Sequence, residues 1–375
     1  MNIHNNKFGF NRVPEKRINK YEASLQDLDD EDNIYYDVLI NNTSERQQAA
    51  EYDVSSTKVI IDNPSNYYLT IVKFLIPSTD IPILHFPVLP PATGELDKRF
   101  KITTEYLGNQ ITTLVPYIPI SIYTGPPYSI FTYQSLIDMI NQGIRTSLID
   151  LWNNYGPLPV PDPNIPTNQV PIIIFTDENT PLYIRFPEQY NNDLFPGTVK
   201  LFMNYSLFSL FQNFLNIFKS YDDDTAYEII VKDTGNNYEN IISGPYTGSY
   251  YNMKQDSATF YLWWDIKDII LTTNLPINSE IIGSITSNGA YNTIPILTDI
   301  STPFFGQPYQ QRTYIEYVPS PQYRLISLLS HEQLYKINFK FYYRTKNLEL
   351  RQLLLAPLTN LSMKLLFVKK KLFSN

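Results

Sequence analysis

The sequence predicts a mainly β fold in which short strands alternate with long, fixed loops and one long helix breaks the pattern. Three observations carry that expectation. The first is composition, since the 375 residues include 30 Tyr and 28 Pro but only 13 Gly. Tyr favours strands and offers a polar tip at sheet surfaces, whereas Pro removes a ladder donor and ends helices. The second is alternation. In "INFKFYYRTKN" (337–347), Ile337, Phe339, Phe341, Tyr343 and Thr345 fall on one face, and Asn338, Lys340, Tyr342, Arg344 and Lys346 on the other. That is the period of a half-buried strand. The third is that one stretch, "YQSLIDMINQGIRTSLIDLWNNYG" (133–156), shows clear helical spacing. Hydrophobic residues make up 43% of the chain, enough for a packed core.

Taken in order, residues 1–33 are polar, lack periodicity and close on the acid run Asp27–Asp32. They read as an extended arm ordered by a partner, or as a solvated tail. "IYYDVLINN" (34–42) begins regular structure. "TKVIIDNPSNYYLTIVKFLIP" (57–77) reads as two strands around an Asn-Pro-Ser-Asn turn, the second apolar enough to be covered on both faces. "KITTEYLGNQITTLVPY" (101–117) is a hairpin with Gly108-Asn109 as its positive-φ residues. The helix places Leu136, Ile137, Ile140, Ile144, Leu148 and Trp152 on one stripe and ends at Gly156-Pro157, so it packs on a sheet. Residues 155–170 are too rich in Pro for helix or central strand and form a stiff connector.

Short strands follow at 171–175, 181–186, 199–204 and 227–233, while "LFSLFQNFLNIF" (207–218) reads as a second helix or as two short apolar pieces. The Tyr/Gly/Asn-rich stretch 234–257 reads as an exposed loop. "ATFYLWWDIKDIILTTN" (258–274) is one bent strand or two. Strand signals recur at 280–285, 293–297, 311–319, 323–330, 337–347 and 358–371. No internal repeat is visible.

Charge is unevenly spread. The net charge is −8, yet residues 1–20 and 363–375 each carry +4, so the stretch between carries −16. Basic ends on an acidic body point to an anionic or acidic neighbour at both ends, or to solvated tails. The chain has no Cys, which excludes disulfides, thiolate metal sites and a Cys nucleophile and suits a reducing compartment. Its start lacks the apolar segment of a signal peptide, and no run approaches the roughly 18 apolar residues of a membrane span.

Catalytic signals are weak everywhere. His4, His85 and His331 have no second His or carboxylate at metal spacing and read as loop or capping residues. No phosphate loop, dinucleotide fingerprint or nucleophile elbow appears. Asp222-Asp223-Asp224 lacks the alternating ligands and Gly of a calcium loop and reads as a solvated turn. Trp263-Trp264 could stack on a sugar, but core packing is the stronger reading. These residues assign no catalytic group, cofactor or metal, and the chain is expected not to be an enzyme.

The order of motifs in the last third is informative. "LTTNLPINSEII" (271–282), "IPILTDIS" (294–301), "YIEYVPSPQYRLISLLS" (314–330), "INFKFYYRTKN" and "LLLAPLTNLSMKLLFVKK" (353–370) follow one another. This succession resembles the C-terminal half of vertex (penton) capsid proteins of small icosahedral double-stranded DNA viruses, and in particular those of virophages of the Sputnik type. The resemblance covers roughly residues 258–375. It implies a mainly β, single jelly-roll β-sandwich of the adenovirus-like lineage, with the helix in a long loop and an inserted outer domain. The major capsid proteins of such viruses carry two jelly rolls instead.

The organisation implied is an extended arm over 1–33 and a jelly-roll body over 34–375, with the insertion within about 155–255. The protein would form homopentamers at the five-fold vertices, among capsomers of the major capsid protein, in a virion assembled in host cytoplasm. Lys340, Tyr342, Arg344 and Lys346 would meet a neighbouring subunit or form a wet outer face. Lys369, Lys370, Lys371, Lys16 and Arg17 would face packaged DNA or a minor capsid protein. An alternative function is a jelly-roll carbohydrate- or receptor-binding protein that holds a host surface glycan through the loop at 234–256. A β-sandwich glycoside hydrolase is a third possibility.

Overall fold

The alternation read at 337–347 is the signature of one strand among eight that build the body in this computed structural model. They are β1 (Ile34–Asn41), β2 (Glu51–Ser55), β3 (Tyr67–Pro77), β4 (Ile266–Thr273), β5 (Ile296–Ser301), β6 (Tyr314–Tyr317), β7 (Lys336–Thr345) and β8 (Asn360–Lys369). The structure describes residues 33–370 apart from 44–47, 120–127, 165–169, 178, 192, 195–196, 222, 233–237, 242–249, 278–294, 302–313, 319–324 and 347–348. Pairing is antiparallel throughout, in the order β1-β8-β3-β6 in one sheet and β2-β7-β4-β5 in the other. Strands distant in sequence thus lie side by side, and the eight divide between two sheets as two Greek keys do in a single jelly roll.

The sheets meet through their apolar faces. Phe74 of β3 stacks on Phe341 of β7 with ring centroids 5.6 Å apart. Phe339, Phe341, Tyr343, Leu69, Ile76 and Phe367 are all buried in the same core. Burying such aromatic and aliphatic side chains contributes about 1.5–3 kcal/mol each, so the inward face of β7 alone is a large stabilising term. Two short strands complete the edges. Ile326–Ser327 pairs with β3, and Leu350–Gln352 pairs with β7 beyond β2.

Between β3 and β4 the described residues leave the sandwich and build two larger sheets, besides the two-stranded pair of Leu84–His85 with Ser129–Ile130. One has the order Asn216–Phe218, Tyr227–Ile229, Lys200–Met203, Lys101–Tyr106, Asn109–Leu114. The other runs Tyr238–Ile241, Tyr250–Lys254, Tyr183–Pro187, Ile172–Ile174. The helix Tyr133–Tyr155 lies on the first sheet, capped by Thr132, whose side chain accepts from the Ser135 amide. Its stripe is buried as the spacing predicts, with Trp152 only partly so. Gly143 lets the helix approach closely, since a Cβ there would lie 3.1 Å from Ile102 Cδ1. The Asn141 side chain ties the helix to the second sheet, donating to the Ile173 carbonyl (2.9 Å) and accepting from its amide (2.7 Å).

Several expectations need correction. Residues 57–61 form no strand, only a bridge between Ile61 and Leu334, and Pro64–Asn66 is a 3-10 turn. Strand β3 is not covered on both faces, because Lys73 reaches solvent and pairs with Glu316. The hairpin turns at Leu107 (φ 50°) and Gly108 (φ 82°), with Asn109 already paired to Tyr106. Of the two readings of 207–218, the single helix is wrong and the two short pieces hold, as the helix Tyr205–Phe208 and the strand Asn216–Phe218. The stretch 234–257 contains the strands Tyr238–Ile241 and Tyr250–Lys254 rather than loop alone. In 258–274 the strand starts only at Ile266, after a one-turn helix, Phe260–Trp263, and both Trp263 and Trp264 are buried. The strand signal at 280–285 lies outside the described residues.

Candidate functional site

The outer face of the β2-β7-β4 sheet holds the basic residues that the sequence singles out. Strand pairing sets acidic side chains directly opposite them. Glu51 faces Lys340 in register, with Lys340 Nζ 2.7 Å from its carboxylate, and Lys336 lies 2.7 Å from Asp53. On the other side of β7, Arg344 holds Asp268 through a two-pronged pair, with Nε 3.0 Å from Oδ1. Cross-strand opposite charges of this kind are favourable at modest strength. The Lys336 and Asn338 hydrogen bonds hold the Asp53 carboxyl below its ordinary value. Glu51 and Asp268 push Lys340 and Arg344 upward. Tyr342 stands between Lys340 and Arg344 on the same face, half-buried and opposite Ile270.

Lys346 plays a different part. Its backbone amide donates to the Asp265 carbonyl (2.7 Å) and its Nζ to the Leu262 carbonyl (3.3 Å). It therefore joins the end of β7 to the segment that returns from the additional sheets. Burial pushes its ammonium down, with Asp265 opposing. Sequence reasoning found the basic face but missed its partners. The signal was present, for Glu51 and Asp53 alternate with Tyr52 and Val54 and so share one face of a strand.

At the C-terminal end, Lys369 closes β8 opposite Tyr67. Lys370 folds back onto the body: its Nζ donates to the Ser65 carbonyl (2.6 Å) and the Ser327 hydroxyl (2.6 Å) and lies 5.1 Å from the Tyr68 ring centre. Burial lowers its pKa. Lys371, Lys16 and Arg17 lie outside the described residues, as do His4, Asp222 and most of the 1–33 arm.

A buried clasp, also missed, orders the turn that leads into β8. Asp80 Oδ2 accepts from the Ala356 amide (3.2 Å) and the Thr359 hydroxyl (2.8 Å). Asn42 donates to the Ala356 carbonyl (2.7 Å). Leu358, at the tip, takes a left-handed φ of 58° and is exposed. Burial raises the Asp80 carboxyl, and burial together with the Asp80 charge pushes the Tyr52 hydroxyl to about 12.

The remaining chemical candidates read as structure. His331 Nδ1 lies 3.0 Å from the Ser65 hydroxyl, and His85 sits in the two-residue strand Leu84–His85. Among the described residues no group of His, Cys, Asp and Glu could hold a metal ion, and no helix is long and apolar enough to cross a membrane.

Known proteins resemble this arrangement over most of the chain. A family model described as Sputnik minor capsid protein V18/19 matches residues 34–369. Structural protein V19 of Sputnik virophage is 29% identical over 181 residues, 46% of this chain and 83% of its own length. Uncharacterized protein V18 of the same virophage is 26% identical over 152 residues, 35% of this chain and 91% of its own. In the cryo-electron microscopy structure of the Sputnik virophage, one chain superposes with a TM-score of 0.66 at 23% identity, covering 92% of this chain and 99% of that one. The crystal structure of the mavirus penton protein gives 0.59 at 18% identity, with 90% and 99% covered. The two solved structures establish a shared fold. The family match runs from the first jelly-roll strand to the last, and the chain therefore belongs to the Sputnik minor capsid protein V18/19 family.

Proposed function

We propose that five copies of this protein close a ring at each five-fold vertex of an icosahedral virion, surrounded by capsomers of the major capsid protein. The observation that carries this reading is the single jelly roll, β1-β8-β3-β6 against β2-β7-β4-β5, in a capsid-protein family. A ring of one-sandwich subunits can take any cyclic order, five included, whereas a subunit with two sandwiches contributes them in pairs. The mavirus protein that shares the fold is itself a penton protein. In this reading the chain works by assembly and catalyses nothing, and its virions form in host cytoplasm.

The body is residues 34–375, with the arm 1–33 reaching adjacent capsomers. The outer domain comprises the sheets between β3 and β4, so it begins upstream of residue 155. Lys340, Tyr342 and Arg344 stand toward the neighbouring subunit with their charges already matched within the chain, which leaves Tyr342 as the contact of greatest area. Lys369, Lys371, Lys16 and Arg17 supply non-specific attraction to DNA or to a minor capsid protein. Negative-stain images and mass photometry of the purified protein test the reading. Five-membered rings of five-fold mass are expected. A monomer at every salt and protein concentration that also fails to enter capsids would overturn it.

A further inference from the structure

Exposed aromatic rings are normally scattered, and a contiguous cluster of them marks a surface that meets something. Four rings pack into a closed cycle at the edge of the Asn216–Phe218 sheet. The centroid distances are 5.1 Å for Tyr205–Tyr221, 4.7 Å for Tyr221–Phe218, 5.1 Å for Phe218–Tyr227 and 6.4 Å for Tyr227–Tyr205. The buried Phe208 supports the cycle from below, stacked 4.0 Å from Tyr227. Tyr221 is nevertheless 59% exposed, Phe218 45% and Tyr205 39%. The rings hold one another in place, so little ordering is needed on binding.

Tyr205 and Tyr221 also wall a small cleft of about 80 Å³ that includes Asp223 and Asp224. Asp224 uses Oδ1 for Lys101 (2.8 Å) but its side chain remains 43% exposed. Tyr205 and Ser206 continue into a longer cleft of about 660 Å³, which gives room for a chain of several units.

We propose that this shelf binds a neutral oligosaccharide. A sugar ring has an apolar C–H face, which stacks on an aromatic ring, and a rim of hydroxyls, which donate to carboxylates. The shelf offers both acceptors and ring faces at one place. A protein partner covering the same rings would bury Asp223 and Asp224 at a desolvation cost it would have to repay with new partners. An anionic sugar would meet net repulsion there, because Asp97, Asp223 and Asp224 outnumber Lys101 in the lining of the cleft. The site does not depend on the vertex reading, since a monomer would carry it unchanged.

The test is an array of neutral and anionic oligosaccharides probed with the full chain, followed by calorimetric titration of the strongest neutral binder. Neutral glycans are expected to bind and sialylated or uronate-bearing ones to fail. Tyr221→Ala should weaken binding about tenfold or more while leaving thermal melting unchanged, and Tyr221→Phe should retain most of it. The proposal is overturned if no neutral glycan on the array binds at millimolar concentration, or if Tyr221→Ala and Phe218→Ala bind as wild type. It is equally overturned if Tyr221→Ala abolishes self-association and changes no glycan binding.

Discussion

Asp80 is a single buried carboxylate that orders the entry to β8, and its ionisation has a calculable direction. Burial raises its native pKa above the ordinary carboxylate value of about 3.9. The folded chain therefore keeps its proton at a pH where the unfolded chain has already lost it. The contribution of Asp80 to stability is greatest below the unfolded value and declines as pH rises through the native one. In Asp80→Asn the amide oxygen can take the place of Oδ2 and accept from Ala356 and Thr359 without ionising. Urea unfolding at a series of pH values should show wild type gaining on Asp80→Asn as pH falls from 7 toward 4. Asp80→Ala, which strands the Ala356 amide, should cost about 1–3 kcal/mol at every pH. A second residue sits against its backbone preference: Leu107 holds φ 50° at a turn where it is 75% exposed. A left-handed φ costs an ordinary L residue about 1–2 kcal/mol, and Asn before Gly is favoured in such hairpins. Leu107→Asn should therefore raise stability by about 0.5–1 kcal/mol, read as a higher denaturation midpoint at unchanged slope.

At the scale of elements, the helix Tyr133–Tyr155 was legible because its apolar stripe repeats with the helical period, and its docking depends on a position with no side chain. Any β-branched group at Gly143 would press on Ile102 and Val115, whose nearest atoms lie 3.1 and 3.3 Å from a Cβ. Overpacking of this kind costs about 1–3 kcal/mol, so Gly143→Val should lower the urea midpoint and loosen amide protection in the strand Lys101–Tyr106. Strand β7 was equally legible, since its faces differ and its length allows a count. What the sequence concealed was local competition. Residues 57–61 are as apolar as a strand, yet Pro64 and the 3-10 turn at Pro64–Asn66 take up the backbone that a hairpin would need. The Phe260–Trp263 turn interrupts an apolar run with no breaker residue to announce it, and periodicity cannot separate one buried helical turn from a buried strand. The basic face of β7 was visible, but its neutralisation was not. Glu51 and Asp268 lie 289 and 76 residues away from Lys340 and Arg344 respectively, and only sheet pairing brings them opposite.

For the whole molecule, that neutralisation decides what would hold the proposed ring together. A free basic face meeting an acidic patch would make assembly fall steeply with salt, because exposed charges are screened within about 10 Å at 0.1 M. Here Lys336, Lys340 and Arg344 already hold Asp53, Glu51 and Asp268 within one chain, so a subunit interface on this face gains little from bringing in new charge. It gains from removing apolar and tyrosine surface from water, a contribution that salt leaves intact or strengthens. The fraction of pentamers, measured by mass photometry from 50 to 500 mM sodium chloride, should therefore stay level or rise. Tyr342→Ala should lower it with no change in the melting temperature of the monomer. Lys340→Gln, which unpairs Glu51 at an exposed site, should move it little. A pentamer fraction that falls steeply over the same range would mean that the pairs exchange between chains on assembly, with Glu51 and Asp53 of one subunit meeting the basic residues of the next, and the interface would then be electrostatic after all.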